Sequence, residues 1–391
     1  MVGIFSGVTR RILFTTAAAT LTAAVLTVSP AQADVGSILG TDNPDAIPGE
    51  YIVVFEGGEV NAASDVVGSF GGTVENAFDS LGAVHALMSE SEAERLAADP
   101  AVDYVEQNQV VEVADTQADP PSWGLDRIDQ GSLPLDESYT YPNGGEGVTA
   151  YIIDTGIWLT HEEFEGRTAA GYSSVLPIVG DGTDCNGHGT HVAGTVGGTD
   201  YGVAKAVTLV PVQVLTCAGS GTTAGVIQGV DWVTENAVKP AVANMSLGGG
   251  VSEALDEAVA ASIDSGVTYA VAAGNDDADA CASSPAGVPG AITVAASDSA
   301  DARAEFSNWG ECTDLFAPGV DIESAYLLGL TESLSGTSMA SPHVAGAAAV
   351  YLSAHPNASP DEVAAALTGA ATSGELGDVK GSPNLLLRVT D

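Results

Sequence analysis

The chain has 391 residues, which is long enough for a leader and two domains, one of them with a sizeable core. A hydrophobic content of 45% indicates packed globular domains and excludes a disordered chain. With 52 acidic and 10 basic residues the formal net charge is -42, which argues against nucleic acid and anionic membranes as partners. The acidity predicts a solvated shell that keeps the protein soluble, with adaptation to high salt or high pH as the alternative explanation.

The first 33 residues have the pattern of a secretory signal peptide. Arg10 and Arg11 precede an apolar stretch that continues to about Val28, and the segment closes on Ala31-Gln32-Ala33. Cleavage is therefore predicted before Asp34, and the protein is expected to be secreted and extracellular. A membrane anchor is the alternative, but the apolar run is short for a span. The paired arginines leave twin-arginine export open beside the general route.

A small α+β domain is predicted to follow the leader. Strands are expected at 49–55 and 83–88, helices at 59–70 and 91–98, and a last strand pair at 102–113, in a βαββαβ-like order. Residues 115–121 contain two prolines and no apolar pattern, and they are predicted to be a linker.

The remaining chain is predicted to form a larger α/β domain that begins near Trp123. Apolar strand candidates alternate with small-residue helix patterns, which indicates a mainly parallel sheet covered by helices on both faces. The strands are expected at 148–153, 208–215, 242–245, 268–271 and 291–295, and the helices at 190–196, 222–233, 252–265 and 341–354. Because the chain stops soon after residue 387, no additional C-terminal domain is expected.

Ser338 lies where a run of small residues gives way to a helical pattern. Its hydroxyl is therefore expected at a helix N-terminus, where free backbone N–H groups favour developing negative charge. Pro342 is compatible with the first turns of such a helix and not with its middle. Ser338 is a candidate nucleophile, and the alternative is that it only caps the helix.

A serine nucleophile needs a base within hydrogen-bond reach and a carboxylate that orients the base. An apolar strand candidate ends at Asp154, and glycines place His188 at the start of a small-residue helix. His191 competes for the role of base, but the helical turn would direct it elsewhere. Three further residues could be considered for these roles, but other roles are expected for them. His343 is expected to be structural, and Asp181 and Asp184 are expected to be loop or ion-binding residues.

Three segments carry a resemblance to a known family, and they read YIIDTG at 151–156, HGTHVAG at 188–194 and GTSMASPH at 336–343. The chain resembles the subtilisin-like serine proteases (subtilases), in particular the branch of proteinase K and aqualysin. The resemblance covers the chain from about Trp123 onwards. It implies a subtilisin-like three-layer α/β fold with a mainly parallel sheet, preceded by a small α+β propeptide domain.

The resemblance also implies an activity, that of a secreted serine endopeptidase. Ser338 would attack the peptide carbonyl, His188 would accept and return the proton, and Asp154 would orient the imidazole. A catalytically silent scaffold with the same fold is an alternative. An esterase or lipase is another, but its nucleophile turn would read G-x-S-x-G, whereas Ala340 stands at the last position here.

By the same resemblance the protein is a self-processing precursor. The expected domains are a signal peptide at 1–33, an inhibitory propeptide at 34–115 and a peptidase domain at 116–391. The propeptide would act as an intramolecular inhibitor, and maturation is expected roughly between Val113 and Thr116. Protein and peptide substrates are the other expected partners, with no nucleic acid and, once the signal peptide is removed, no membrane. The enzyme is expected to be a monomer.

Asn275 ends the segment Ala272-Ala273-Gly274-Asn275, and the resemblance makes its amide an oxyanion donor together with the backbone N–H of Ser338. The alternative is a turn residue. Three stretches resemble the walls of the family's substrate-binding groove and pocket. They are Gly219-Ser220-Gly221, Ser246-Leu247-Gly248 and Ala272-Ala273-Gly274. Their side chains are small or apolar, so broad specificity is expected, with a preference for apolar or aromatic residues and no charge to receive Arg or Lys.

The four cysteines suit an oxidising compartment, and their number permits three pairings. The aqualysin-like pattern pairs Cys185 with Cys217 and Cys281 with Cys312. Zinc is the alternative, but no close Cys-x-x-Cys pair is present.

Structural calcium is the expected ion, and no organic cofactor is expected. Hard cations take oxygen ligands from carboxylates and carbonyls. One site would resemble that of aqualysin relatives and another that of proteinase K. The first would use Asp126, Asp129, Gln130 and Asp136, and the second Asp314 with the carbonyls of Pro289 and Ala291.

Overall fold

The structure is a computed structural model that describes residues 36–41, 46–58, 60, 62–109, 115–175 and 182–389. The predicted signal peptide, Asp181, residues 110–113 of the predicted last strand pair and residues 113–114 of the predicted maturation region lie outside the described residues. The chain divides into two compact units between Val110 and Val111, a few residues before the boundary expected from the sequence.

The first unit is a small α+β domain, as expected. Its described strands form a five-stranded sheet in the order β1-β5-β2-β4-β3, and Tyr51, Val53 and Phe55 of β2 pack with both helices in one core. The elements are β1 (Ile38–Leu39), β2 (Ala46–Phe55), α1 (Ala63–Ser69), β3 (Thr73–Phe78), β4 (Ala83–Leu87), α2 (Glu90–Leu96) and β5 (Val102–Gln109).

Two details of this unit differ from the sequence-based expectation. Strand β3 was not predicted, because its side chains are mostly exposed and show no apolar alternation. The predicted strand pair at 102–113 is, in its described part, the single strand β5, which pairs with β2 and β1.

The first described element of the second unit is a strand, where a linker was predicted. Strand β6 (Asp115–Ala118) pairs in antiparallel fashion with β7 (Ser138–Tyr141), and α3 (Trp123–Ile128) lies between them in sequence. The polar residues of β6 carry no strand pattern, so its backbone pairing was not predictable. Asp115 therefore belongs to the second compact unit.

The centre of the second unit is a mainly parallel sheet whose nine described strands follow the order β19-β20-β16-β15-β13-β11-β8-β10-β9. Only β19 and β20 pair in antiparallel fashion among them. Its longer strands are β8 (Thr149–Asp154), β10 (Thr208–Gln213), β11 (Ala241–Met245), β13 (Thr268–Ala272), β15 (Ile292–Ser297) and β16 (Leu315–Pro318), and its short ones are β9 (Tyr172–Ser173), β19 (Thr372–Ser373) and β20 (Leu385–Leu386).

Helices cover both faces of this sheet, so the three-layer α/β expectation is confirmed. Alternate residues of β8 enter different cores, with Ile152 on the face of α4 and α7 and Ile153 on the face of α5 and α6. The helices are α4 (His188–Gly197), α5 (Thr223–Asn236), α6 (Glu253–Asp264), α7 (Thr337–Ala354) and α8 (Pro360–Ala370). Two short antiparallel pairs complete the unit, β12 (Gly249–Gly250) with β14 (Ser283–Ser284) and β17 (Ile322–Ala325) with β18 (Thr331–Leu334).

The sheet determines where polar side chains can meet. The carboxyl ends of neighbouring parallel strands lie along one edge, where ligands bind in open α/β sheets. Strands β8, β11 and β13 are such neighbours, and they end at Asp154, Met245 and Ala272. The predicted site residues at these ends therefore lie close together.

Candidate active site

Asp154 and His188 form a hydrogen-bonded pair at this edge. Nδ1 of His188 lies 2.8 Å from Oδ1 and 3.0 Å from Oδ2 of Asp154. The Asp154 carboxylate is fully buried and also accepts the backbone N–H of Thr155 at 2.7 Å. The pair leaves the other ring nitrogen of His188, Nε2, free to act on a substrate or nucleophile.

The local sequence fixes His188 as the first residue of α4. Gly187 before it has a φ of 109°, a backbone conformation that glycine adopts readily, and a Cβ there would overlap the ring of Tyr326. The buried Asp184 accepts backbone N–H groups of Asn186, Gly187 and Thr190, so it caps this turn. Of the two roles weighed for Asp184, the structure favours the loop role.

The environment of His188 raises its pKa above the ordinary value. Burial of the ring opposes protonation, but the charge of Asp154, its hydrogen bond and the charge of Asp184 outweigh that effect. The protonated form of His188 is thus stabilised, as is needed for a group that takes up a proton during a reaction.

The other two candidate histidines have structural surroundings. Nε2 of His191 lies 2.9 Å from the carbonyl oxygen of Ile322, and Nδ1 of His343 lies 2.8 Å from that of Met339. Burial lowers the pKa of each of these histidines to about 4. Both side chains are therefore neutral core groups near pH 7.

Ser338 lies in the first turn of α7, as predicted, although the helix begins at Thr337 and not at 341. Its hydroxyl donates to the carbonyl oxygen of Ser246 at 3.2 Å. In return, the hydroxyl of Ser246 donates to the carbonyl oxygen of Ser338 at 2.7 Å. Asn244 links both elements, because its Nδ2 donates to Ser246 Oγ and its Oδ1 accepts the hydroxyl of Ser341.

Sequence reasoning missed Asn244, Ser341 and Thr337, which hold the turn around Ser338. A signal for the first was present, because Asn244 is a polar residue within an otherwise apolar, buried strand. Buried polar groups in such strands need partners, so they indicate a hydrogen-bond network.

Asn275 has a fixed amide orientation. Its Oδ1 accepts the backbone N–H of Thr337 at 2.8 Å and the Thr337 hydroxyl at 3.0 Å. The Thr337 hydroxyl in turn accepts the backbone N–H of Gly274 at 3.1 Å. With Oδ1 occupied, the Nδ2 donor of Asn275 is left for a ligand beside Ser338.

Two concave regions lie next to Ser338 and His188, and the nine predicted substrate-binding residues line them. A groove of about 490 Å³ is lined by His188, by residues 219–221 on one side and by residues 246–248 on the other. A pocket of about 290 Å³ is lined by Ser338, by residues 247–248 and by residues 272–275. Asp276 also lines this pocket, a charged residue that the prediction of an uncharged pocket left out.

The structure joins Cys185 to Cys217 and Cys281 to Cys312, the pairing that the resemblance implies. The first bridge connects the loop before α4 with the loop that leads into the groove wall. Asn186, which lines the groove, also donates from Nδ2 to the carbonyl of Cys217 at 3.0 Å.

The residues of the first predicted calcium site belong to the last turn of α3 and the loop that follows it. The Asp126 carboxylate accepts backbone N–H groups of Asp136 and Glu137, which folds this loop back onto the helix. Oδ1 of Asp129 and Oε1 of Gln130 are buried without a hydrogen-bond partner. Burial raises the pKa of Asp129 to about 6. A hydrogen bond from Thr140 opposes this effect, and the charges of Asp136 and Asp126 add to it.

The second predicted site lies where β15 begins. Asp314 Oδ2 accepts the backbone N–H of Thr293 at 2.7 Å, and Thr293 follows Ala291 by two residues in the chain. Burial raises the pKa of Asp314, and the hydrogen bond from Thr293 opposes this effect. Within the described ranges, no three His, Cys, Asp or Glu side chains are gathered as a metal centre, so either site would also need carbonyl, amide or water oxygens.

The carboxyl edge of the parallel sheet thus carries four functional groups. They are a buried carboxylate, an imidazole, a serine at a helix N-terminus and an amide donor. This combination defines the class of serine hydrolases. The comparisons narrow this class. The profile of the subtilase family matches residues 145–385.

Relatives of known activity match most of the chain. It is 51% identical over 377 residues to an extracellular serine proteinase of Thermus sp. (strain Rt41A), covering 90% of this chain and 92% of that protein. It is 49% identical to alkaline serine exoprotease A of Vibrio alginolyticus, covering 88% of this chain and 67% of that protein. The crystal structure of a cold adapted subtilisin-like serine proteinase matches at a TM-score of 0.68 and 56% identity, over 69% of this chain and 98% of that one.

The chain therefore belongs to the subtilase family and is a subtilisin-like serine protease. In the part of the chain that the structure describes, no helix is both long and apolar enough to span a membrane.

Proposed function

We propose that the protein is a secreted serine endopeptidase in which Ser338 is the nucleophile, His188 the general base and Asp154 the orienting carboxylate. The observation that carries the proposal is the pair of buried Asp154 and partly exposed His188, with 2.8 Å between its nearest atoms. His188 lines a groove that shares Leu247 and Gly248 with the pocket that Ser338 lines. Asp154 holds Nδ1 protonated, so that the unprotonated nitrogen of the ring is Nε2.

The reaction follows from these positions. When substrate binds, the Ser338 hydroxyl gives up its hydrogen bond to the Ser246 carbonyl and donates to His188 Nε2 instead. Catalytic hydrogen bonds commonly reach their working geometry only in the substrate complex. Oγ then attacks the peptide carbonyl while the imidazole takes its proton and afterwards delivers it to the leaving amine. Asp154 stabilises the imidazolium between these two steps.

The oxyanion of the tetrahedral intermediate is bound by Asn275 Nδ2 and by the backbone N–H of Ser338. Thr337 supports this role, because it occupies Asn275 Oδ1 and so turns the donor end towards the site. Such preorganised donors stabilise charge that develops only in the transition state.

The substrate lies as an extended strand between two exposed backbone segments, 219–221 and 246–248. The residue before the scissile bond enters the pocket, whose walls include Ala272, Ala273 and Gly274. Small, apolar walls favour an apolar or aromatic side chain there, and backbone recognition of the rest gives broad specificity.

The protein is made as a precursor with a cleaved signal peptide, and its first unit serves as intramolecular inhibitor. Support comes from the leader pattern, from the separate core of this unit and from relatives whose names describe extracellular enzymes. The mature enzyme acts as a monomer on proteins and peptides.

Structural calcium is bound at the two predicted sites. At the first, the unpartnered oxygens of Asp129 and Gln130 beside Asp126 and Asp136 are the hard donors that calcium prefers. At the second, Asp314 would act with the carbonyls of Pro289 and Ala291. The ion would supply positive charge that offsets buried carboxylates, and it takes no part in the reaction.

The proposal is tested by incubating the secreted product with a chromogenic peptide that ends in Phe or Leu. The wild type is compared with Ser338→Ala, and the size of the precursor is followed in both. Cleavage together with loss of the first unit in the wild type, and neither in the variant, is expected. A processed, folded wild type with no turnover, even with calcium and high salt, would contradict it and favour a silent scaffold.

A further inference from the structure

One buried side chain, that of Asn308, binds the main chain on both sides of Asn275. Before Asn275, Nδ2 of Asn308 donates to the carbonyl oxygen of Ala273 at 2.9 Å. After Asn275, the N–H groups of Asp276 and Ala278 both donate to Oδ1 of Asn308, each at 3.0 Å. The donor and the acceptor of this amide are therefore both engaged by the loop that follows β13, so Asn308 acts as a clamp on that loop.

The main chain of Asn308 adds to this clamp. Its N–H donates to the carbonyl oxygen of Gly274 at 2.9 Å, and the N–H of Trp309 donates to that of Ala278 at 3.0 Å. Gly274 has a φ of 106°, and a Cβ there would overlap Nδ2 of Asn308. Glycine at this position thus permits both the backbone conformation and the close approach of the two segments.

Asn275 depends on its neighbours for its place. Among the described residues, neither the backbone N–H nor the backbone carbonyl of Asn275 has a hydrogen-bond partner. Thr337 binds Oδ1 of Asn275 and so sets the direction of the side chain. The backbone from which that side chain extends is positioned by the flanking residues, and Asn308 binds four of their peptide groups.

We propose that Asn308 is a positioning residue for the oxyanion donor, because it fixes the loop on both sides of Asn275 and so holds Asn275 Nδ2 where negative charge develops. The proposal rests on the proposed function, which requires Asn275 to be that donor. The hydrogen-bonding groups of Asn308 are occupied by the loop, so it assists the reaction only through Asn275. A preorganised donor stabilises the transition state only while its place is fixed.

Two substitutions release the clamp to different degrees. Asn308→Ala removes all three side-chain hydrogen bonds, whereas Asn308→Asp keeps the acceptor and replaces the donor by an oxygen that faces the Ala273 carbonyl. Misplacement of a catalytic group by about 1 Å can cost about 10²-fold in rate. Asn308→Ala is therefore expected to lower kcat about 10- to 100-fold, and Asn308→Asp about 3- to 10-fold.

A double-mutant cycle tests whether Asn308 acts through Asn275. The value of kcat is measured on one chromogenic peptide for the wild type, Asn308→Ala, Asn275→Ala and the double variant. Each precursor is matured with immobilised wild-type enzyme, which is then removed, so that slow self-processing does not interfere. Once Asn275 is replaced, the position of its amide no longer matters, so Asn308→Ala should then lower kcat less than about threefold.

Asn384→Ala is the matched control for loss of a loop clamp. Like Asn308, Asn384 uses both ends of its amide, because Oδ1 accepts the N–H of Leu376 at 3.0 Å and Nδ2 donates to the carbonyl of Leu376 at 2.9 Å. Asn384 is not among the residues that line the groove or the pocket. Its replacement is expected to leave kcat unchanged.

The proposal is overturned by an unchanged kcat in both Asn308 variants, by a fall in kcat that is equal with and without Asn275, or by an equal fall in Asn384→Ala. If Asn308→Ala does not fold, the same cycle is carried out with Asn308→Asp. An unchanged kcat in Asn275→Ala would overturn the proposed oxyanion donor and this proposal with it. Absence of turnover in the wild type would instead contradict the proposed function as a whole.

Discussion

The hydroxyl of Ser246 donates to the carbonyl oxygen of Ser338 at 2.7 Å, in place of the helical N–H that Pro342 lacks. In an α-helix this carbonyl would accept from the residue four positions later, and proline has no N–H to offer. The end of β11 thus satisfies the first turn of α7 from outside the helix. Ser246 links the sheet to the nucleophile.

This relationship predicts the outcome of a double-mutant cycle. Ser246→Ala leaves the Ser338 carbonyl and Asn244 Nδ2 without their partner, and the free energy of unfolding should fall by about 1 to 3 kcal/mol. Pro342→Ala restores a helical donor to the same carbonyl. The free energy of unfolding of each variant is measured with denaturant in the inactive Ser338→Ala background. For the double variant it should exceed the value expected from adding the two single effects by about 0.5 kcal/mol or more. Additive effects would mean that the two donors do not share this carbonyl.

Asn275→Ala should lower kcat about 10²- to 10³-fold, because it removes an oxyanion donor, while KM changes little. Thr337→Val should lower kcat less, because the backbone N–H of Thr337 still holds Asn275 Oδ1 after the hydroxyl is lost. Steady-state kinetics on one chromogenic peptide measure both. Thr337→Ser keeps the hydroxyl and serves as the matched control. A rise in KM without loss of kcat in Asn275→Ala would assign the amide to substrate binding.

Asp154→Asn should lower kcat about 10⁴-fold, since the imidazole is then no longer held in the required tautomer. The pH profile gives a second readout. The charge of Asp154 helps to raise the pKa of His188, and the base must be neutral to act, so removing that charge moves the acidic limb of kcat/KM to lower pH. Asp231→Asn removes the same charge from an exposed position of α5 and serves as the control, so it should leave the acidic limb of kcat/KM in place. A limb that moves to higher pH in Asp154→Asn would contradict the assignment of His188.

The sequence was sufficient to predict the parts of the site that are local in the chain. Asp154, His188 and Ser338 each lie at the end or start of an element that the apolar pattern predicts. The residues that hold them are set by pairing of distant segments. The link from Asn244 to Ser341 and that from Asn275 to Thr337 exist only because β11 and β13 are neighbours beneath α7.

The unpredicted elements have similar physical reasons. Strands β3 and β6 are held by backbone pairing and carry mostly exposed or polar side chains, so no alternation indicates them. Helix α8 was missed although its start has a capping box, in which Ser359 and Glu362 bond to each other's backbone. That local signal was available in the sequence.

The two disulfides should have similar effects on stability and different effects on binding. They close loops of similar length, with sequence separations of 32 and 31, and removal of either should lower the free energy of unfolding by about 3 to 4 kcal/mol. Both cysteines of the bridge from Cys185 to Cys217 lie within two residues of the groove lining, whereas in the other bridge only Cys281 lies that close to a lining residue. Replacing the first pair by alanine should therefore raise KM severalfold, and more than replacing Cys281 and Cys312. Equal KM values in the two double variants would contradict this assignment.

Calcium should stabilise the protein more at pH 8 than at pH 5. The calcium-free fold raises the pKa of Asp129 from 3.8 to about 6, so its contribution to stability is present below pH 4 and is lost as the pH rises through 6. At pH 8 the ionised carboxylates repel one another, and they are then in the form that binds calcium. At a hundredfold excess over Kd, binding contributes about 2.7 kcal/mol, or about 5 to 10 °C in Tm for a domain of this size.

Thermal unfolding with calcium and with a chelator measures this difference in the Ser338→Ala background, where self-digestion does not interfere. Asp129→Asn should make the calcium-free protein more stable at pH 8 and reduce the calcium-dependent rise in Tm, because it removes both the buried charge and a ligand. Asp314→Asn should also reduce the rise, while the pH dependence that Asp129 contributes near 6 remains, and this separates the two sites. The same rise at both pH values in the parent protein, or an unchanged rise in Asp129→Asn, would show that Asp129 does not bind the ion.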